Sequence, residues 1–199
     1  MKSTLRKELR AKRRALPPAE HQLRSDLAAA AIARLPAVRF GARIAVYLPF
    51  DRETNTAALL RAARRRGVHL YVPVVTDLRH RRLRFYPLTG RMRRGAFGIS
   101  VPSEHATPVA PRWLTMIVVP LVGIDGTGRR LGMGGGFYDR ALAFRRVRRD
   151  WRGPCLVGFA FDCQKTDSVL ADPWDVRLDA LATESGLEYF PRHATGVNE

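Results

Sequence analysis

The sequence predicts one α/β domain spanning residues 1–199, with a mostly parallel sheet covered by helices on both faces and a basic helix at its N-terminus. Three observations carry that expectation. Short apolar runs alternate with helical stretches of about a dozen residues, the spacing of βαβ units. The most apolar run, Met116 to Ile124, empties directly into the most glycine-rich segment, Asp125 to Gly136. Neither an internal repeat nor a linker long enough to separate domains interrupts the 199 residues.

Residues from Lys2 to about Leu16 read as a helix, with Leu5, Leu9 and Leu16 on an apolar stripe and Lys2, Arg6, Arg10 and Arg13 on a basic one. Pro17 and Pro18 end it, and residues from about 19 to 35 give a second helix that stops before Pro36. Ile44 to Leu48 reads as a strand closed by Pro49. Thr54 to Arg66 is then helical, with Gly67 as C-terminal cap, and Val68 to Val75 is the next strand. Leu83 to Tyr86 alternates strictly, as an edge strand or hairpin arm does, before a Gly/Pro-rich excursion from Gly90 to Pro111. Beyond the glycine segment, Phe137 to about Arg149 reads as one helix, Leu156 to Phe161 as a buried strand and Leu178 to Ala182 as a last strand.

Hydrophobic residues make up 46% of the chain and charged residues 27%, which excludes a disordered, collagen-like or disulfide-dense protein. No apolar run approaches the ~20 residues of a membrane span. The net charge of +17 favours polyanionic partners: phosphorylated ligands, polyglutamyl tails, nucleic acid or anionic lipid. Compositional drift toward arginine on solvated faces accounts for that charge equally well, since only Lys2, Lys7, Lys12 and Lys165 are lysines. Cys155 and Cys163 flank the expected buried strand in a chain without a secretory signal, so reduced thiols and a cytoplasmic location are expected. His69 and His80 lack a second ligand at metal spacing and read as satisfied or exposed histidines. Trp113 and Trp151 read as core or rim packing, Trp174 as closing a site beside Asp175, and Arg145 to Arg149 as the solvated end of a helix.

A buried parallel strand feeding a glycine-rich turn and then a helix is where α/β proteins gather backbone N–H groups around a phosphate. Gly128 to Gly136 holds five glycines beside Arg129 and Arg130, in neither the P-loop pattern nor the dinucleotide pattern. A plain flexible loop is the competing reading, because glycine also serves turns at positive φ. Two roles stand for Asp139, in the first turn of the following helix. It is either a magnesium ligand beside a bound phosphate or a stabiliser of the helix dipole, worth about 0.3–1 kcal/mol.

Six segments in order resemble the 5-formyltetrahydrofolate cyclo-ligase family, also called 5,10-methenyltetrahydrofolate synthetases. They are 2–6, 47–56, 97–99, 119–125, 128–140 and 174–175, and the Arg-Leu-Gly-x-Gly-x-Gly-x-Tyr-Asp run at 130–139 is the most specific. The resemblance implies an enzyme that uses ATP and magnesium to turn 5-formyltetrahydrofolate into 5,10-methenyltetrahydrofolate, ADP and phosphate. It implies that Lys2 and Arg6 contact the ATP phosphates, and that Arg130, Leu131, Gly132, Met133, Gly134, Gly135, Gly136, Phe137 and Tyr138 form the nucleotide loop. Asp139 and Asp175 fall at the family's magnesium positions. Leu48, Glu53, Phe97 and Tyr138 fall where the family lines its folate pocket, and Arg130, Glu53 and Tyr138 are the expected catalytic residues.

A formamide oxygen is a poor leaving group, so the expected mechanism phosphorylates it and lets the neighbouring folate nitrogen close the ring. Such chemistry asks the protein for positioning and positive charge. Glu53, in a loop after a strand, reads as a hydrogen-bond acceptor for folate, a proton handler or a solvated acid. Phe97 stands where a tryptophan is common in the family, Phe137 where a tyrosine is common, and Gly135 where some members have lysine, which leaves any phosphate contact at 135 to the backbone. The N-terminal helix is expected to close over nucleotide, because Lys2 and Arg6 lie at a terminus that otherwise frays. The expected partner is a folate, mono- or polyglutamylated, bound by a monomer with no specific nucleic acid and no membrane. Two rivals remain. A nucleic-acid-binding protein fits the charge but lacks a recognised motif and interleaved aromatics. A family member drifted to another small molecule fits Phe97 and Phe137.

Overall fold

The computed structural model describes residues 2–95, 98, 100–102, 107–147 and 153–191. The chain opens with α1 (Lys2–Arg14) and α2 (Pro18–Ala33), with Pro18 at a first-turn position of α2 where a missing N–H costs nothing. β1 (Arg43–Ala45), α3 (Ala57–Arg65) and β2 (His69–Asp77) form the expected βαβ unit with parallel strands. Gly67, at φ +67°, reverses the chain after α3. β3 (Arg82–Pro87) returns antiparallel along β2 as the hairpin arm, and the excursion beyond it contains a small antiparallel pair, β4 (Met92–Arg94) and β5 (Ser100–Pro102). β6 (Met116–Val119) leads through the ribbon of β7 (Gly123–Ile124) and β8 (Arg130–Leu131) to α4 (Phe137–Ala141) and α5 (Phe144–Val147). β9 (Cys155–Phe159), β10 (Ala180–Thr183) and β11 (Gly186–Tyr189) complete the chain's regular structure.

The main sheet has seven strands in the order β11-β10-β9-β6-β1-β2-β3. The central strands β10, β9, β6, β1 and β2 run parallel, and β11 and β3 are antiparallel at the two edges. All of β6 is buried, with Met116 and Val118 in one core against α2 and α3, and Ile117 and Val119 in a second core with Leu142, Leu121 and Leu178. Coverage on both faces is why this strand reads as a continuous apolar run rather than an alternation. α1 lies off the sheet, where Leu9 packs with Val122, Leu131 and Val169 at the β7–β8 ribbon.

From β1 the chain passes through α3 to β2 on one side, whereas from β6 it continues to β9 on the other. The strand order therefore reverses between β1 and β6. A crevice outside the carboxyl ends of such neighbours is where open α/β sheets bind ligands. Here those two ends deliver residues 46–56 and 120–136 to one place.

Several expectations shift. β1 ends at Ala45 rather than Leu48, because the chain leaves the ladder and folds back until the Tyr47 hydroxyl donates to the Thr54 carbonyl at 3.0 Å. The helix expected from Phe137 to Arg149 is two short ones, broken where Leu142 is drawn fully into the second core; 148–152, and Trp151 with them, lie outside the described residues. Arg145 is not solvated: its guanidinium donates to Asp179 at 2.7 Å and to the Pro154 carbonyl at 2.9 Å, while Asp179 also accepts the Leu156 N–H. Trp113, expected in core or rim packing, is exposed, with Arg112 5.6 Å from its ring centroid, and Trp174, beside Asp175, is exposed as well. β11 and the β7–β8 ribbon carry no periodicity long enough to read from sequence. Cys155 and Cys163 form no disulfide, and among the described residues no helix is long and apolar enough to cross a membrane.

Candidate active site

Asp125 closes the turn between β7 and β8. Its Oδ1 accepts the Thr127 N–H at 2.9 Å, the Thr127 hydroxyl at 2.7 Å and the Arg129 N–H at 3.2 Å, and its Oδ2 accepts the Val169 N–H at 3.0 Å. Burial pushes this carboxyl up, but the bonds from Thr127, Val169 and Arg129 outweigh it and hold it below the usual carboxylate range. The chain then runs from Arg130 into Gly132–Gly136, with φ +98° at Gly134 and +65° at Gly136, conformations that side chains rarely adopt. Arg6 donates from Nε to the Gly132 carbonyl at 2.8 Å, and a Cβ on Gly134 would lie 3.6 Å from the same guanidinium. Arg81, in the β2–β3 hairpin turn, comes within 3.6 Å of the Cβ position of Gly136, and the Phe137 ring covers Gly135. α4 has only five residues and adds little dipole, so loop N–H groups and these guanidiniums are what the segment could offer an anion.

The charges beside the loop are paired. Arg130, itself buried, donates to Asp139 Oδ1 at 2.8 Å, and the Val176 N–H reaches the same oxygen at 3.0 Å. Lys2 pairs with Asp172 and lies 3.8 Å from Asp175, whose Oδ2 accepts the Asp172 N–H at 2.9 Å. Val176, whose N–H bonds Asp139, and its neighbour Asp175 line a cleft of about 300 Å³ together with Arg129, Arg130 and Asp172. Among the described residues no three His, Cys, Asp or Glu cluster as a ready cation cage. Two hard carboxylates suit magnesium, which commonly takes one or two of them and completes its shell with water and substrate phosphate.

Across the crevice, residues Phe50 to Glu53 make a tight turn. The Glu53 N–H donates to the Phe50 carbonyl at 3.0 Å, and φ values of +49° at Asp51 and +59° at Arg52 are those of a type I′ turn. Glu53 Oε2 accepts the Phe50 N–H at 3.1 Å. α1 grips the turn: Arg10 donates to Asp51 Oδ2 at 2.6 Å, Arg14 Nε to Oδ1 at 2.8 Å, and Arg13 to the Asp51 carbonyl at 2.8 Å. Burial raises Asp51, yet the bonds from Arg14 and Arg10 more than offset it and hold the carboxyl low. Arg13 is only 1% exposed, and burial lowers its pKa against the opposing pull of Glu53 and Asp51. Glu53 behaves oppositely: loss of solvent raises it, beyond what the Phe50 N–H and the Arg13 charge take back.

Tyr138, from α4, joins the two sides. Burial first, and then the Glu53 charge, raises its pKa, while the Arg130 guanidinium lies 6.0 Å from its ring centroid. Its hydroxyl and the Arg130 Nε are both buried without a hydrogen-bond partner among the described residues. Unsatisfied buried donors at a crevice are groups that a ligand's oxygens satisfy.

Of the expected site residues, Arg6 bonds the Gly132 carbonyl, Arg130 bonds Asp139 and Lys2 lies 3.8 Å from Asp175, while Tyr138, just after the glycine segment, feels the charge of Glu53. Leu131 is buried beneath α1, Met133 is exposed, and Leu48 is half-buried against the first core at the end of β1. Phe97 lies outside the described residues. The glycine segment takes one bond, from Arg6 to the Gly132 carbonyl, and Asp139 accepts from Arg130 and from the Val176 N–H. α1 is docked through Leu9, and Arg13, one of the expected basic stripe, is turned inward. Sequence reasoning missed Asp172, Arg81, Asp51 and the inward role of Arg13. Asp172 shares a short motif with Asp175, but nothing along the chain marks the others.

The fold is that of an α/β protein with a switch point between β1 and β6, where open sheets of this kind bind ligands. Residues 1–184 match the 5-formyltetrahydrofolate cyclo-ligase family, and the chain belongs to it: it is an enzyme, a ligase of folate metabolism. It is 34% identical over 182 residues to the 5-formyltetrahydrofolate cyclo-ligase of Escherichia coli, covering 89% of this chain and 97% of that one. The Haemophilus influenzae cyclo-ligase is 36% identical over 141 residues, 68% of this chain and 72% of that one. Among solved structures, the 5,10-methenyltetrahydrofolate synthetase of Aquifex aeolicus matches with a TM-score of 0.80 at 28% identity, covering 100% of this chain and 96% of that chain. The Mycoplasma pneumoniae synthetase matches with a TM-score of 0.71 at 25% identity, covering 92% and 98%.

Proposed function

We propose that this enzyme converts 5-formyltetrahydrofolate to 5,10-methenyltetrahydrofolate with cleavage of ATP to ADP and phosphate, in the presence of magnesium. The observation that carries the proposal, in a chain of this family, is the pair of unsatisfied buried donors, Arg130 Nε and Tyr138 Oη, on either side of the glycine segment in sequence. One half of the crevice offers backbone and guanidinium donors to phosphate, and the other offers an acid and a phenol to a polar ring system.

The reaction moves a phosphoryl group onto the formyl oxygen. The neighbouring folate nitrogen then attacks the activated formyl carbon, and phosphate leaves with that oxygen as the ring closes. Lys2, Arg6 and Arg130 hold and neutralise the phosphates, which is most of what phosphoryl transfer asks of a protein. Asp139 and Asp175 would hold magnesium, which neutralises charge on the phosphate oxygens. In the structure each carboxylate already has a cation beside it, Arg130 at Asp139 and Lys2 at Asp175. Binding would let the cations turn to phosphate while Asp139 and Asp175 turn to metal. Glu53, raised by burial, accepts a hydrogen bond from a folate N–H or takes up its proton, and Tyr138 donates to a folate oxygen. Gly132–Gly136 closes on the phosphates through its backbone N–H groups.

The test is the growth of methenyltetrahydrofolate absorbance from 5-formyltetrahydrofolate, with ATP or magnesium omitted in turn. Growth only when both are present is expected. No growth from folded protein sinks the proposal, and binding of RNA or DNA at physiological salt by that same inactive protein favours a nucleic-acid-binding role.

A further inference from the structure

α1 touches both halves of the crevice. Arg6 holds the glycine cradle through the Gly132 carbonyl, and Arg10, Arg13 and Arg14 hold Asp51 in the turn that presents Glu53. Positions 6, 10 and 13 follow one another at i, i+4 and i+7, one face of a helix across a rise of about 10 Å. The turn's other ties lead to the same place. Arg52 donates to the Leu16 carbonyl just beyond α1, and His21 in the first turns of α2 meets the Arg52 carbonyl at 3.1 Å. Asp51 has both carboxylate oxygens occupied by arginines of α1, so it serves the helix and not a ligand.

We infer that α1 couples the nucleotide half of the site to the folate half, with Asp51 as the positioning residue through which the seat of the helix fixes Glu53. The inference rests on the function proposed above. Phosphates bound by Lys2 and Arg6 fix one end of α1. The inflexible grip of Arg13, buried and bound to the Asp51 backbone, carries that placement into the Phe50–Glu53 turn. Each ligand then orders the site for the other, and the coupling is reciprocal.

Calorimetric titration of 5-formyltetrahydrofolate into the whole protein, with and without saturating ADP and magnesium, measures this coupling as a ratio of dissociation constants. The native ratio is expected to be about tenfold, within the usual span of coupling energies. In Asp51→Asn it falls below about twofold, while ADP affinity stays within about threefold of native and KM rises for folate but not for ATP. An unchanged ratio in Asp51→Asn, or a native ratio near one, overturns the inference. Should Asp51→Asn fail to fold, Arg14→Gln takes its place, since that side chain is half exposed and its loss leaves Arg10 and Arg13 on Asp51. Its ratio is expected to drop about threefold, and no drop overturns the inference. Native protein that makes no methenyltetrahydrofolate fails the proposed function instead, a result distinct from active enzyme whose coupling ignores Asp51.

Discussion

The two segments that meet at the switch point are held in opposite ways. The Phe50–Glu53 turn is fixed by side chains from elsewhere: three arginines of α1 on Asp51, with the Tyr47 hydroxyl on Thr54 closing the loop behind it. Gly132–Gly136 is fixed by its own backbone, through positive φ at Gly134 and Gly136, and by one guanidinium bond from Arg6. The first adopts left-handed geometry with non-glycine residues, at a strain of about 1–3 kcal/mol each that the surrounding contacts must over-determine. The second adopts it with glycines at little cost, and its proposed role leaves its N–H groups to a ligand. A rigid turn suits the placing of one acid, whereas a backbone cradle suits a spread of phosphate charge.

If that contrast is right, substitution separates function from stability. The largest effect falls on turnover. Gly134→Val forces a side chain into φ +98° beside Arg6 and is expected to cut kcat about 100-fold or more, with a melting temperature only a few degrees lower. The next falls on stability: Arg13→Leu leaves Asp51 short of a buried partner and is expected to cost about 3–5 kcal/mol, or roughly 10 °C by calorimetry. Equal loss of melting temperature in the two variants would erase the contrast.

The smallest effect separates the two acids of the turn. Glu53 has a folded-state pKa above its usual 4.5, so its charged form costs stability above that folded pKa, a cost that fades as pH falls from there and is gone below 4.5. Glu53→Gln is therefore expected to raise the melting temperature slightly at neutral pH but not near pH 4, while raising KM for folate about tenfold. Asp51, held below its usual 3.8, has the opposite sign: its contribution is present above 3.8 and is lost as pH falls through the folded pKa. Melting curves of Glu53→Gln and Asp51→Asn between about pH 3 and pH 7 decide it, and parallel trends would remove Glu53 from its buried setting.

Much of the site was legible along the chain because its parts are local. Arg130, the glycines, Tyr138 and Asp139 lie within ten residues, and glycine clusters and first-turn acids announce themselves without tertiary context. Lys2, Arg6, Glu53 and Asp175 needed the family resemblance to join that group. Arg81 was invisible, because only the antiparallel fold-back of β3 on β2 carries the hairpin turn to Gly136. Arg145 was misread for a related reason: helical spacing predicts a solvated end, but its partner Asp179 is 34 residues away.

The sequence by itself determined the α/β class, the parallel central strands and the glycine segment beside Arg129 and Arg130. These follow from period, composition and turn chemistry, which act over a few residues. Only the tertiary structure decided that α1 would lie off the sheet and bury Arg13, that Asp51 would collect three arginines, and that Arg130 and Lys2 would sit paired beside the carboxylates. Charge alone cannot say which arginine goes inside. That is settled by desolvation against the available partners, and those partners meet only once the strand order has reversed between β1 and β6.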